Sequence, residues 1–490
     1  MTRETQVTKA SQPNVVFIVS DQHRWDFIGY EDNGVTFTPE LDALAEEGVV
    51  FGGAYCTAPL CSPSRAAIAL GRYGMNSGCF TNLHEPSPHS PSFVDELRSA
   101  GWRTSCIGKT HMEIHAYDAD YTSERHKAYM RSLGWDDVCD VAGAMLIKTG
   151  IRCEWSEWLR RQGKFMDVVN FYTRHWSYFM DKVRKQTDGF EAHEWELDET
   201  YRVDRFIFDR SMEWLTDHAR KGPFFLHVGF IGPHEPEEPL SRYMDLYRDR
   251  EEALPWGVET CSPVRLNGRR GYRAWISELS NYVGQLRGRV SELGLADNTI
   301  FIFTADHGEM AGDHGRLGKT MFFEGSMRVP MIFAGPGVPR GKRSDAFVEL
   351  IDLGKTVCDL CGVPSHVLDQ GRSLAPILRG ERETHRDTVY AEMGCDRMIR
   401  DERYKLHWGD PISDTRKLGR LHLDKPVTIP ASPGRLYDLQ EDPHELHNLI
   451  DEPTAQPVVR WMLEKLLARI NENIQPQPNK SRGEYRPCKD

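Results

Sequence analysis

The sequence predicts an α/β fold: a large, mostly parallel central sheet flanked by helices, then a smaller C-terminal domain of antiparallel sheet and helix. Three observations predict it. Apolar runs of strand length at Asn14–Ser20, Phe224–Ile231 and Asn298–Thr304 read as strands buried on both faces, the habit of parallel sheets under helical crossovers. Amphipathic helical patterns separate these runs. Past residue 385 the pattern changes to short alternating segments. The expected division is therefore 1–385 for the main domain and 386–490 for the smaller one.

In chain order, Asn14–Ser20 is the first buried strand, and it ends in Asp21-Gln22-His23. Thr38-Pro39 opens a helix with Leu41, Leu44 and Ala45 on one face, because proline's missing N–H is spare in a first turn. Ala58 to Gly71 begins a second helix near Pro63, with Ser62 and Ser64 as candidate caps and Gly71 as the stop. Asn82 and His84 lie in the polar loop after it. Phe93, Val94 and Leu97 mark a third helix, and Trp102–Ile107 is a strand delivering Lys109-Thr-His111. Residues 120–200 read as a helical insertion in which Trp155, Trp158 and Trp176 pack the helices or, as the alternative, contact an aryl or cationic substrate. The helix Arg202–His218 leads to the strand Phe224–Ile231 and then Gly232-Pro-His234. Tyr272–Leu293 is the clearest helix, and the strand after it ends in Asp306-His307, with Lys319 in the loop beyond. Thr388–Glu392, Arg397–Arg400 and Tyr404–Trp408 form the antiparallel sheet. A helix over 454–471 closes the chain with Val458, Trp461, Met462, Leu466 and Ile470 facing inward.

Composition excludes several classes. A net charge of −12 leaves no general basic face for nucleic acid, so an anionic substrate must be drawn by a local cationic cluster. Met1–Pro13 lacks the apolar core of a signal peptide, and the longest apolar run, Pro223–Ile231, is too short to span a bilayer. Eleven cysteines without framework spacing suggest reduced thiols and a cytoplasmic setting, and Cys358-Asp-Leu-Cys361 reads as core packing.

The chemistry concentrates at strand ends. Cys61 stands at a helix N-terminus, where free N–H groups favour negative charge, and Arg65 follows one turn on. Asp21 and Gln22, Lys109 and His111, His234, and Asp306 and His307 each follow a buried strand, and parallel strands share one carboxyl edge. Oxygen donors from Asp21, Gln22 and Asp306 beside His307 suit a hard divalent cation: calcium, magnesium or manganese. Arg65, Lys109 and Lys319 would spread the charge of a tetrahedral anion, and His234 or His111 would protonate a leaving oxygen.

These residues fall in motifs: Cys61-Ser-Pro-Ser-Arg65, Gly71-Arg-Tyr73, Gly108-Lys-Thr-His111, Gly232-Pro-His234, Thr304-Ala-Asp-His-Gly308, Gly318-Lys319 and Arg328-Val-Pro330. With Leu436–Pro443 and Asn448-Leu449, the chain resembles the type I sulfatases of the alkaline-phosphatase superfamily over nearly its whole length. The resemblance implies that a formylglycine-generating enzyme oxidises Cys61 to formylglycine, whose hydrate is the nucleophile. It implies that Arg65 and Lys109 hold that group and His111 assists its breakdown. His234 and Lys319 would contact the sulfate and leaving oxygen. Asp21, Gln22, Cys61, Asp306 and His307 would hold one metal ion, calcium being usual.

Asp21-Gln22 and Asp306-His307 depart from the commoner Asp-Asp and Asp-Asn pairs. Both variants look like the branch of phosphonate monoester hydrolases, phosphodiester hydrolases and choline sulfatases, where Asn82 would match a substrate-contacting asparagine and manganese is an alternative ion. The implied activity is hydrolysis of a small aryl or alkyl sulfate ester, releasing sulfate. Hydrolysis of a phosphonate monoester or phosphodiester at the same site is the first alternative, and an inactive anion-binding homologue with unmodified Cys61 the second. No nucleic acid or membrane partner is expected, and a homo-oligomer formed through the C-terminal tail is a family analogy.

Overall fold

The structure, a computed structural model, describes residues 12–114, 119–184, 190–409 and 434–474, with backbone alone for 176–184. Fourteen strands are named in chain order among these residues: β1 (Asn14–Ser20), β2 (Gly48–Phe51), β3 (Ala54–Tyr55), β4 (Arg103–Gly108), β5 (Asp137–Asp140), β6 (Phe224–Gly229), β7 (Thr299–Ala305), β8 (Met331–Ala334), β9 (Lys342–Ser344), β10 (Val348–Glu349), β11 (Val389–Met393), β12 (Asp396–Arg400), β13 (Tyr404–Trp408) and β14 (Arg435–Asp438).

Eight of them form one sheet in the order β5-β4-β6-β1-β7-β8-β2-β9. From β5 to β7 every pairing is parallel, whereas β8 runs antiparallel to both β7 and β2. Residues of β1 alternate between two apolar layers, as the period of two in a strand requires. Val16 and Ile18 pack in one layer with Leu279 and Val283. Val15, Phe17 and Val19 pack in the other with Ile68, Val94 and Leu97. Each side chain buried in this way contributes about 1.5–3 kcal/mol.

Register sets the site. Ser20 stands opposite Ala305, and Val19, Gly229 and Gly108 are level across β1, β6 and β4. Four adjacent strands therefore stop together, and the residues after them open onto one edge. Gly108 is obligatory at this edge: its φ is 98°, and a Cβ there would lie 2.1 Å from the Gly229 carbonyl oxygen.

Several local expectations need correction. The stretch 120–200 is not purely helical, because β5 within it adds to the sheet edge as a parallel partner of β4. The long helix runs Pro263–Glu292, starting well before Tyr272, with Ser262 accepting the Arg265 N–H as its cap. In the last helix, Gln456–Asn473, Met462 and Leu466 are buried but Trp461 is 44% exposed, its ring serving Tyr404 and Lys465 instead of the core. Trp155 is buried and Trp158 packs on Tyr201 and Phe206, while the Trp176 side chain and the tail from residue 475 lie outside the described residues.

β11 to β14 form a separate antiparallel sheet. Its apolar face meets the last helix through Tyr390, Ile399, Leu406, Leu436, Met462 and Leu466, and the same cluster includes Tyr73. Among the described residues no helix is long and apolar enough to cross a membrane.

Candidate functional site

The Cys61 helix spans Cys61–Leu70 and stops at Gly71 in the left-handed conformation. Its start differs from the expectation. Leu60 occupies the cap and offers no side-chain acceptor. Neither serine caps the helix: Ser62 Oγ donates to the carbonyls of His84 and His111, both at 3.2 Å, and Ser64 Oγ to that of Asp306 at 2.5 Å. The cap comes from elsewhere in the chain, since Asn82 Oδ1 accepts the Ser62 N–H at 3.0 Å. These bonds lash the helix start to the loops that follow β4 and β7.

Four ligand atoms converge there. Asp21, Cys61, Asp306 and His307 are all buried, and one donor atom from each lies within 4.8 Å of the others. Cys61 Sγ is 3.2 Å from His307 Nε2 and 3.9 Å from Asp21 Oδ1, and His307 Nε2 is 3.6 Å from Asp306 Oδ1. The imidazole is set for coordination. Nδ1 donates to the Gly308 carbonyl at 2.9 Å, which fixes the ring with Nε2 directed toward Cys61 and the carboxylates. The donor set fits a metal ion.

Cations fix the outer carboxylate oxygens. Arg65 Nε donates to Asp306 Oδ2 at 2.7 Å, Nη1 to the Lys109 carbonyl at 2.6 Å, and Nη2 pairs with Asp21 Oδ2 at 3.3 Å. Lys109 Nζ also binds Asp21 Oδ2. Burial and Cys61 raise the Asp21 pKa, but Lys109, His234 and Arg65 prevail and hold it well below the carboxylate range. Burial likewise pushes the Cys61 thiol up, yet Lys109, Lys319, His307 and a hydrogen bond with His111 bring it well below its ordinary value. The site stabilises an anion at position 61.

His111 and His234 flank that position with opposite tendencies. Burial lowers the His111 pKa. Burial acts the same way on His234, but Glu235 beside it, 3.4 Å from Nδ1, more than compensates and raises it. His234 and Glu235 stand at the rim with side chains 17% and 19% exposed. Lys319 is half-buried, its pKa raised against burial by Cys61 and Glu235.

Gln22 lies beside the four ligand atoms with its groups engaged. Its N–H donates to Asp306 Oδ1 at 2.9 Å, its amide nitrogen to Glu235 at 2.5 Å and to Glu309, and its amide oxygen accepts from Lys319. Gln22, His111 and Thr320 all adopt left-handed backbone, with φ of 62°, 54° and 74°. Such strain persists only where surroundings over-determine it.

Sequence reasoning missed Glu235 and Glu309, although each stands within two residues of a predicted histidine. It also missed two buried supports. Asp204 accepts the N–H groups of Ile231 and Gly232 at 2.7 and 2.9 Å, holding the turn to His234. Asp140 accepts from Thr110 N and Oγ1 at 3.1 and 2.8 Å, holding the turn to His111.

Comparisons with known proteins agree with this architecture. The family model described as Sulfatase matches residues 13–363, and that described as N-sulphoglucosamine sulphohydrolase, C-terminal, matches 312–472. An arylsulfatase of Clostridium perfringens is 25% identical, with 94% of each chain covered. A choline-sulfatase of Rhizobium meliloti is 26% identical, covering 90% of this chain and 83% of the relative. The same fold occurs in phosphonate monoester hydrolases of Silicibacter pomeroyi (TM-score 0.75, 23% identity) and Agrobacterium radiobacter (TM-score 0.73, 22% identity), each covering 94% of this chain and 96% of the other. With the family model covering residues 13–363 and relatives aligned over most of the chain, one conclusion follows: this protein belongs to the sulfatase family.

Proposed function

We propose that the chain hydrolyses a small aryl or alkyl sulfate ester at Cys61, releasing inorganic sulfate. The convergence of Asp21, Cys61, Asp306 and His307 within 4.8 Å, ringed by Arg65, Lys109 and Lys319, carries this reading. Those four residues, with Gln22 beside them, would hold one divalent ion, calcium first and manganese or magnesium as alternatives. When bound, the ion supplies Lewis-acid polarisation of an oxyanion and lowers the pKa of a neighbouring hydroxyl. Formylglycine made from Cys61 by a maturation enzyme supplies the nucleophilic hydroxyl.

The chain's own residues do the rest. Arg65 pairs with Asp306 and Asp21, and Lys109 with Asp21, which compensates for burying these carboxylates and holds the Asp21 pKa low. His111, kept neutral by burial, accepts a proton at position 61. His234, whose pKa Glu235 beside it raises, is the group that would donate a proton to the leaving oxygen at the rim. Lys319 draws the substrate's anionic oxygens, and Asn82 is a substrate contact only through its amide nitrogen, since its oxygen caps the helix.

Phosphonate monoester or phosphodiester hydrolysis is the second reading. Gln22 favours it, because an amide in place of a second carboxylate leaves the site more positive. Parallel assays on an aryl sulfate and an aryl phosphonate monoester decide the order, and a far higher kcat/KM on the phosphonate reverses it. Mass spectrometry of the tryptic peptide Trp25–Arg65 from native-host protein tests the modification. Only intact cysteine there would leave an anion-binding homologue.

We read 1–385 and 386–490 as two domains and the setting as cytoplasmic, supported by ten free cysteines among the described residues.

A further inference from the structure

Behind His111 sits a buried imidazole that the proposed reaction does not use. His126, on the helix Glu124–Ser132, is 1% exposed. Its Nδ1 lies 2.5 Å from Glu113 Oε2, and its Nε2 faces Asp140 Oδ2 at 3.2 Å. The two carboxylates bracket the loop that carries His111. Asp140 holds Thr110 just before it, and Glu113 follows two residues after it. Tyr121 stacks on the His126 ring at 4.6 Å, closing the third side. His111 itself adopts φ 54°, its carbonyl accepts from Ser62 of the Cys61 helix, and its ring hydrogen-bonds Cys61. An imidazolium presents an N–H to each carboxylate, whereas a neutral imidazole presents an N–H to one and a lone pair to the other, which leaves Asp140 with only Thr110 and Val141 or Glu113 with only Arg125.

We propose that His126 is a positioning residue for the reaction: as an imidazolium held between Glu113 and Asp140, it pins both ends of the Lys109–Glu113 loop and so keeps His111 aimed at position 61. The inference rests on the reading of His111 given above. The charged and titratable groups facing His126 are Glu113 from the loop, Asp140 from β5 and Tyr121 from the chain before the helix; Arg125 reaches Glu113 from the solvent side. Those carboxylates overcome burial and raise the His126 pKa to about 9.

Steady-state kinetics on an aryl sulfate with the full-length protein test it. His126→Gln is expected to lower kcat about 10²-fold, the scale of an ångström's misplacement, and to leave KM within about twofold. The ratio of wild-type to variant kcat should narrow as pH rises through about 9, where the wild type loses its own imidazolium. A merely structural role would lower the amount of active enzyme by the same factor at every pH. An unchanged kcat, or a ratio constant across that range, overturns the proposal. Should His126→Gln not fold, Glu113→Gln serves. Removing one carboxylate lowers the His126 pKa, so its kcat should fall away from wild type below pH 9, and superimposable profiles overturn the proposal. His111→Ala separates the two readings. Full activity there removes the role given to His111, whereas a dead His111→Ala beside a normal His126→Gln removes only the role given to His126.

Discussion

The floor and the rim of this site are built on opposite terms. At the floor, Asp21, Asp306, His307, Arg65 and Lys109 are at most 3% exposed, and every carboxylate oxygen has a stated partner or faces the ligand cluster. At the rim, His234, Glu235 and Lys319 keep some solvent contact; Gln22 joins Glu235 to Lys319, and His234 pairs with Glu235. A charge can be kept in a dry site only when paired, and pairing fixes its position. The floor groups are therefore fixed in place, while the rim groups keep some freedom; under the proposed reaction the floor holds the reacting group and the rim meets the leaving group.

The largest effect expected of that division is at Cys61. Cys61→Ala should reduce turnover to background and cost about 1 kcal/mol or less in stability, since alanine suits a first helical turn. Near-wild-type activity would move the nucleophile away from the floor. Asp306→Ala should lose bound metal and activity together, and it should also cost about 3–5 kcal/mol because Arg65 keeps a buried charge without its closest carboxylate. Elemental analysis and thermal melts read the two losses separately, and unchanged metal content removes Asp306 from the ligand set.

Rim substitutions should be gentler and substrate-dependent. His234→Asn is expected to lower kcat about 10²–10⁴-fold for esters with poor leaving groups and far less for a nitrophenyl ester that needs no proton. An equal loss on both would assign His234 to the floor.

The smallest effect is on stability, where two histidines against the same loop should act in opposite directions. His227 on β6 faces the Lys109 carbonyl at 3.3 Å and is buried neutral, burial and Arg65 lowering its pKa to about 4. Its unfolded form binds a proton near pH 6.5, so stability falls as pH drops from about 6.5 toward 4, by about 3 kcal/mol at most. His126 has a raised pKa, so its contribution is full below about 6.5 and is lost as pH rises through about 9. His227→Gln should flatten the acid side of a melting-temperature profile, and His126→Gln the alkaline side. A profile unaltered by either would show that the loop's supports do not titrate.

Much of this was legible beforehand because buried parallel strands announce themselves as apolar runs, and β1, β6 and β7 all did. β5 was not, since Asp137-Val-Cys-Asp140 is short and half polar, an edge strand defined by its partner and not by its own pattern. Trp461 looked like core by spacing, yet the helix turned that position to solvent. Ser62 and Ser64 had the composition of caps, but neighbouring carbonyls competed for their hydroxyls and a remote asparagine took the cap. Glu309, two residues past His307, and Asp140 could not be assigned from the sequence, because a carboxylate near a strand end reads the same whether it caps, pairs or waits in solvent.

Residue order alone determined which side chains end the strands, hence the inventory of thiol, cations, carboxylates and imidazoles there, since strand length and polarity are local properties of the chain. Tertiary structure alone decided how those groups share charge. Which carboxylate meets Arg65, which histidine stays neutral, and which imidazolium sits behind the His111 loop depend on distances between elements up to hundreds of residues apart. Electrostatic energy follows distance and burial, neither of which is written in the order of residues.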